Sequence, residues 1–266
     1  MEDFITRNEP ALRLGIFLGV FAALALIELA RPHLGLREGR RRWATNLTLA
    51  LVNTAVLRFA FPLLAVGSAA WAASTGWGLL HQITMPVWLE IALSFVLLDL
   101  LVWGQHVAMH HIPLLWRLHR VHHSDRDFDA TTGVRFHPIE IAFSMGLKMG
   151  FVIALGAPVI SVIIFEIVLS ATSLFTHANL HLPAAIDRVL RWLIVTPDMH
   201  RIHHSIRREE TDSNYGFNFS VWDRLFRTYR RAAKDGDPGL TIGLPPYQQG
   251  STGRLGWALA LPFARD

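Results

Sequence analysis

Residues 106–123 read HVAMHHIPLLWRLHRVHH, and they follow directly on an apolar stretch of the chain. The histidines form two spaced groups, His106-x3-His110 and His119-x2-His122-His123. Side chains at i, i+3 and i+4 of an α-helix lie on one face, so each group predicts a helix that points several imidazoles at one place. Paired histidines at this spacing are typical of helical metal sites.

Two more histidine groups lie downstream, His177-x3-His181 and His200-x2-His203-His204. Four groups supply enough imidazoles for about five on each of two metal ions, and imidazole suits iron, zinc, copper and nickel. Burying so many titratable rings without a metal would be opposed by desolvation. The sequence therefore predicts a two-metal site with ten ligands: His106, His110, His119, His122, His123, His177, His181, His200, His203 and His204.

The composition predicts a membrane protein. Hydrophobic residues make up 52% of the chain and charged residues 17%, with a mean hydropathy of +0.32. There is no cysteine, which excludes disulfides, thiolate metal sites, Cys-bound iron–sulfur clusters and cysteine nucleophiles. The net charge is +4, and with so much apolar sequence it favours a membrane surface over nucleic acid as the partner.

Four apolar stretches are long enough to cross a bilayer, for which a helix needs about 20 residues. They cover Ala11–Ala30, about residues 47–73, about 86–104 and about 139–175. The last is interrupted by Gly156-Ala157-Pro158, which predicts a helical hairpin because proline breaks the helical hydrogen-bond ladder. The expected fold is an all-α integral membrane protein with about four to five transmembrane or re-entrant helices and a cytosolic, histidine-rich helical cap.

Charge sets the expected orientation. Five arginines between Arg31 and Arg42 predict a cytoplasmic loop, since basic loops stay inside. Everything after Gly104 then returns to the cytoplasmic side, and the preference for arginine over lysine favours a bacterial inner membrane. The predicted regions are N-terminal transmembrane helices (1–104), a histidine-rich catalytic region that includes the hairpin (105–231), and a C-terminal tail (232–266).

Residues 106–140 resemble the fatty acid hydroxylase/sterol desaturase superfamily of membrane oxygenases. The resemblance covers about Asp99–Tyr229 and continues in the segments THANLH (176–181), TPDMHRIHH (196–204), NYG (214–216) and WDRLFRTY (222–229). Arg227 stands where relatives commonly have glycine, which affects a turn in the cap. The first histidine group has three intervening residues where the fatty-acid branch often has four, which favours the sterol-oxidase and ether-lipid branches.

The resemblance implies a chemistry and a cofactor. It implies that the ten histidines hold two irons in a non-haem di-iron centre, with zinc as a substitute on overexpression. It implies that this centre uses O2 to hydroxylate or desaturate an unactivated C–H bond of a fatty acyl, sterol or alkylglycerol lipid. No G-x-G-x-x-G fingerprint for a flavin or nicotinamide occurs, so the electrons must come from a separate reductase, ferredoxin or cytochrome b5 type donor.

Other polar residues are candidates for supporting the ligands or contacting substrate. Asp99 lies two helical turns before His106 and is expected to accept a hydrogen bond from a ligand ring or to be a hydrated helix-end residue. Asp198, like Asp125 and Asp129, can do the same for a ring nearby. Asn179 can bond a ring or cap a turn.

Five other residues have expected roles apart from the ten ligands. His137 can be a further ligand, a substrate contact or a structural donor, and His111 lies off the face of its neighbours. Glu140 is expected to pair with Arg135 or Arg117. The isolated His33 and His81 are expected to be bystanders.

Two functions of other classes remain open. A zinc-dependent membrane hydrolase would use a carboxylate base beside a ligand, as in H-E-x-x-H, and no histidine group here contains one. A non-catalytic metal-binding or transport protein would want polar ligands near the bilayer midplane, whereas the histidines flank the apolar stretches.

Overall fold

The computed structural model describes residues 2–250 and 252–264, and within these ranges the regular elements are helical. The predicted all-α fold is confirmed. The α-helices are α1 (Glu2–Arg7), α2 (Glu9–Ala30), α3 (Arg41–Ala60), α4 (Leu64–Thr75), α5 (Val87–His111), α6 (Pro113–His123), α7 (Pro138–Leu155), α8 (Val159–Thr176), α9 (Ala184–Leu190), α10 (Pro197–His203), α11 (Arg208–Thr211), α12 (Val221–Leu225) and α13 (Leu255–Ala260).

Five helical segments are long and apolar enough to cross a membrane. They are Glu9–Ala30, Arg41–Gln82, Val87–His111, Pro138–Leu155 and Val159–Thr176. Large apolar side chains face outward along them, for example Phe59, which is 91% exposed. Such outward-facing side chains are what contact with lipid tails requires.

The predicted hairpin between α7 and α8 is present. Gly156 ends α7 in the left-handed region at φ 69°, which glycine adopts without steric cost, and Pro158 precedes the first turn of α8. Each arm has 18 residues, or about 27 Å at 1.5 Å per residue. The two arms therefore cross the bundle and return, so that His137 and His177 lie at the same end.

The apolar stretch at 47–73 is two helices rather than one. α3 ends at Ala60 and α4 begins at Leu64, with Pro62 between them. Proline has no N–H to continue the ladder, and its ring clashes with the carbonyl of the preceding turn. The break was not part of the sequence interpretation, although Pro62 is the signal for it.

The bundle core lies between α4, α5, α7 and α8, where Ala69, Leu98, Val152 and Phe165 are fully buried. The short helices α6 and α9–α12 cover one end of this bundle. The C-terminal tail packs on the same end, because α13 joins α3 and α6 in a second apolar cluster through Ala258. The histidine-rich helices are thereby enclosed from several sides.

Candidate metal centre

Nine histidines form two adjacent groups at the covered end of the bundle. Cluster 1 comprises His106, His110, His119, His123 and His203, and cluster 2 comprises His122, His177, His200 and His204. Within each group one ring nitrogen per residue lies within 4.8 Å of the others. Every one of these side chains is buried, the most exposed being His106 at 3%.

The helical period explains why two helices serve both clusters. On α6, His119 and His123 are four residues apart and share the face toward cluster 1, whereas His122 turns toward cluster 2. On α10 the arrangement is reversed: His200 and His204 belong to cluster 2 and His203 to cluster 1. The His-x2-His-His pattern therefore distributes its rings over two sites rather than gathering them at one.

The distances between ring nitrogens suit metal binding. In cluster 1, Nε2 of His106 lies 3.1 Å from Nε2 of His119 and 3.1 Å from Nε2 of His203. In cluster 2, Nε2 of His177 lies 3.2 Å from that of His122 and 3.1 Å from that of His200. Two nitrogens bound to one ion at about 2.1 Å, at a right or tetrahedral angle, are about 3.0–3.4 Å apart.

Hydrogen bonds on the far side of the rings fix their tautomers. Nδ1 of His106 donates to Tyr215 O and Nδ1 of His203 to Ser213 O, each at 2.7 Å. A neutral imidazole carries only one N–H, so the Nε2 atoms that face each other both present lone pairs. Bare lone pairs 3.1 Å apart repel each other, and a shared cation removes that repulsion.

The same arrangement recurs on three other rings. His119 Nδ1 donates to Glu140 Oε1 at 2.7 Å, His177 Nδ1 to Ser173 O at 2.7 Å, and His110 Nδ1 to Asp212 Oδ1 at 3.3 Å. Metal-binding histidines characteristically have such outer partners, which orient the ring and raise its basicity.

Several ring nitrogens are buried without any partner among the described residues. They include His110 Nε2 and both nitrogens of His123 and His204. An unpaired buried polar atom costs about 1–3 kcal/mol, and this site concentrates several of them. A metal ion would take one nitrogen from each of these rings, so the donor set fits two imidazole-bound ions.

Burial favours the neutral form of six clustered rings that lie outside the membrane-crossing helices, because it lowers their pKa values. It lowers the pKa of His177 to about 4 and that of His203 to about 3. The pKa values of His122 and His204 are also well below their usual range, because burial disfavours the charged ring and the neighbouring histidines repel it. Neutral imidazole is the form that binds metal.

His181 lies outside both clusters. Its side chain is 52% exposed, its Nδ1 donates to Asp198 Oδ1 at 3.0 Å, and its ring stacks on His33 at 4.8 Å. The i, i+4 argument requires a helix, and α8 ends at Thr176, before the pair is complete. His33, expected to be a bystander, belongs to this partly buried group with Asp198 and Asp237.

Most of the predicted supporting residues have other partners. Asp99 accepts from Trp222 Nε1 at 2.8 Å and from the Phe219 backbone N–H at 3.2 Å, and its bonds in the described chain include none to a histidine. Asn179 exchanges hydrogen bonds with the backbone of Leu34. His137 caps α7 by accepting from the Ile139 backbone N–H at 3.2 Å.

Asp125 and Asp129 hold an arginine rather than a histidine. Both pair with the fully buried Arg42, Asp125 at 2.6 Å, and Asp127 joins them at 3.2 Å. This cluster fixes the loop that follows α6. Asp198 was also proposed to support a ring, and it does accept a hydrogen bond from one, that of His181.

Glu140 is a supporting residue that the sequence interpretation missed. It was expected to pair with an arginine, but its Oε1 accepts from His119 Nδ1 and its side chain is buried. The sequence feature that could have identified Glu140 is its position in the first turn of a helix that begins beside His137. Tyr215 was also missed: its carbonyl bonds His106 and its hydroxyl lies 3.1 Å from His111 Nε2.

A cavity of about 240 Å³ opens beside cluster 1 and extends between the membrane-crossing helices. His106, His119 and Glu140 line its inner end. A cavity of this size admits an organic group rather than a single water. A ligand bound in it would lie beside the cluster 1 rings.

Comparison with known proteins places the chain among lipid enzymes. It is 28% identical over 262 residues to ornithine lipid hydroxylase OlsE of Rhizobium tropici, covering 94% of this chain and 75% of that protein. It is 29% identical over 137 residues to alkylglycerol monooxygenase of Xenopus tropicalis, and 25% over 148 residues to that of Homo sapiens. These two matches cover 52% and 56% of this chain, but only 30% and 32% of those proteins.

No solved structure matches the chain significantly. The fatty acid hydroxylase family matches residues 91–228, just over half of the sequence, and this range contains all nine clustered histidines. The chain belongs to the fatty acid hydroxylase family.

Proposed function

We propose that this chain is a membrane-bound non-haem di-iron oxygenase that hydroxylates or desaturates an unactivated C–H bond of a lipid. One observation carries the proposal: nine buried histidines form two adjoining clusters, and two of them, His106 and His119, line a cavity between membrane-crossing helices. The names of the similar proteins, an ornithine lipid hydroxylase and alkylglycerol monooxygenases, support a lipid substrate and favour hydroxylation.

Each cluster would hold one metal ion. An all-imidazole donor set suits iron and also zinc, which can replace iron on overexpression. Iron bound there would supply the activation of O2. His119 and Glu140 show what the protein itself contributes, because the carboxylate fixes the ring with Nε2 toward the site.

The reaction needs reactants from outside the chain. In hydroxylation one oxygen atom of O2 enters the C–H bond and the other leaves as water, which consumes two electrons and two protons. Desaturation consumes the same electrons and protons and releases two waters. The sequence has no flavin or nicotinamide fingerprint, so a separate reductase, ferredoxin or cytochrome b5 type protein is the proposed donor.

We place the protein in a bacterial inner membrane with the metal centre on the cytoplasmic side. Arg42, from the basic loop that the positive-inside rule assigns to the cytoplasm, bonds Asp125 just after His123. The basic loop and the metal clusters therefore lie at the same end of the bundle.

Oxygen labelling tests the proposal. Membranes of a host that expresses the chain are incubated under 18O2, and their lipids are compared with those of a host that expresses His122→Ala. We expect a hydroxylated lipid whose new oxygen comes from 18O2, absent with the variant, or a lipid that has lost two hydrogens. A product that takes its oxygen from water would favour the zinc hydrolase, and no new lipid would favour a non-catalytic metal protein.

A further inference from the structure

One wall of the cavity beside cluster 1 is polar, although it lies within membrane-crossing helices. Glu140, Ser144 and Lys148 are spaced i, i+4 and i+8 on α7, so they share one face, and all three line the cavity. Ser170 and Ser173 of α8 line it too. The polar wall runs from the ring of His119 to Lys148, eight residues or about 12 Å along α7 from Glu140.

Lys148 stands at the end of this wall in a chain of opposite charges. Its Nζ donates to Glu166 Oε1 at 2.5 Å, and Glu166 Oε2 accepts from Arg13 at 2.7 Å. Arg13 also pairs with Glu9 at 2.7 Å. The four charges sum to zero, which makes their burial tolerable, but ionisable groups at membrane depth are costly and usually serve a function.

The ammonium of Lys148 has hydrogen-bonding capacity to spare. It carries three N–H donors, and Glu166 takes the one hydrogen bond that the structure gives it among the described residues. Its side chain is 12% exposed and lines the cavity. Two donors are therefore available to a group bound in the cavity.

The choice of lysine is also informative. Lysine occurs twice in the whole chain, at positions 148 and 234, against 25 lysines and arginines in total. The ammonium is a compact charge with rotatable donors, whereas guanidinium is a broad planar fork. A small ammonium suits a narrow cavity in which it must contact both Glu166 and a ligand.

The rest of the lining is mostly apolar. It includes Phe17, Val102 and Phe217, with Gln105 as a polar member that bonds Ser144. A cavity for plain hydrocarbon would be apolar throughout, so this mixed lining fits a lipid segment that carries a polar group.

We propose that Lys148, held by Glu166, binds a hydrogen-bond-accepting oxygen of the lipid: a carboxylate, phosphate or carbonyl oxygen at the end of the cavity away from the histidines. The bound lipid is a substrate only if the proposed oxygenase function holds. The subsite selects lipids with an acceptor oxygen away from the metal end, beside a lysine about 12 Å along α7 from Glu140, and it disfavours unsubstituted hydrocarbon.

Binding of four sixteen-carbon probes tests this subsite. The probes are palmitate, hexadecyl phosphate, methyl palmitate and hexadecane, which present a carboxylate, a phosphate, a carbonyl and no oxygen. Binding to the metal-loaded protein is measured in phosphatidylcholine nanodiscs. The test variant is the double substitution K148M/E166Q, which removes the ion pair as a unit and leaves Arg13 paired with Glu9. K234M makes the same change at the other lysine, outside the cavity lining, and K148R retains the charge.

We expect K148M/E166Q to weaken binding of at least one oxygen-bearing probe about tenfold or more, since a hydrogen bond to a charged group is lost. Hexadecane binding should stay unchanged, K234M should match the wild type, and K148R should recover part of the loss. The probe that loses most identifies the source of the oxygen. Equal weakening of hexadecane, or no weakening of any probe, would overturn the subsite and leave the ion pair a structural link between helices. Because the assay needs no turnover, its failure is distinct from failure of the oxygenase proposal.

Discussion

Replacement of Glu140 tests the outer support of the metal centre. Its carboxylate accepts the Nδ1 hydrogen of His119 at 2.7 Å, and both side chains are buried. Loss of such a partner typically lowers metal affinity about 10–100-fold, or about 1.4–2.7 kcal/mol. Glu140→Ala should give the full effect, and Glu140→Gln a smaller one, since an amide oxygen still accepts the hydrogen bond but carries no charge.

The assay is metal retention against increasing chelator, measured by mass spectrometry of the bound metal. Asp99→Asn is the matched control, because Asp99 is also a buried carboxylate, midway along α5, but bonds Trp222 and the Phe219 backbone. We expect Asp99→Asn to lose its metals at the same chelator concentration as the wild type. Glu140→Ala should lose one of its two metals at a lower chelator concentration. Retention by Glu140→Ala together with early loss from Asp99→Asn would refute the assignment of Glu140.

Three further outcomes follow from the structure. His204→Ala should remove metal from cluster 2, whereas His181→Ala should leave the metal content unchanged, because His181 lies outside both clusters; equal metal loss from the two variants would show that His181 is a ligand. Arg227→Gly should raise the free energy of unfolding by about 0.5–1 kcal/mol, since Arg227 has φ 61° and left-handed backbone costs an L-residue about 1–2 kcal/mol; chemical denaturation in detergent measures this, and an unchanged or lower value would contradict it. The metal-free protein should lose stability as the pH falls from about 6.5 to about 4. Burial lowers the pKa of His177 to about 4, so the unfolded chain binds more protons than the folded chain in that range. A thermal midpoint that rises as the pH falls over this range would contradict the buried, neutral rings.

The histidine pattern was sufficient to place most of the candidate site. Spacing on helices depends only on the 3.6-residue period, so the groups in α5, α6 and at the end of α10 bring their rings to the site, although α6 and α10 divide theirs between clusters 1 and 2. The pair His177 and His181 crosses the end of α8, and there the period no longer applies. His181 therefore lies outside the clusters because α8 ends before it, and the position of that helix end depends on tertiary packing.

Long-range partners could not be obtained from spacing. Glu140 and His119 are 21 residues apart, and Asp99 and Trp222 are 123 apart. Both acids occupy comparable positions near histidines in the sequence, and only the packing of α7 and α12 against α5 and α6 decides which one reaches a ring. The apolar stretches, in contrast, were identified because lipid contact imposes a simple length and composition on a helix.

The metal content of the chain tests the central claim most directly. Protein purified without oxygen, and confirmed to be folded, should hold about two transition-metal ions per chain, iron in the active form, since clusters 1 and 2 each present converging neutral imidazoles. Fewer than about one ion per chain in a folded sample would contradict the two-metal centre.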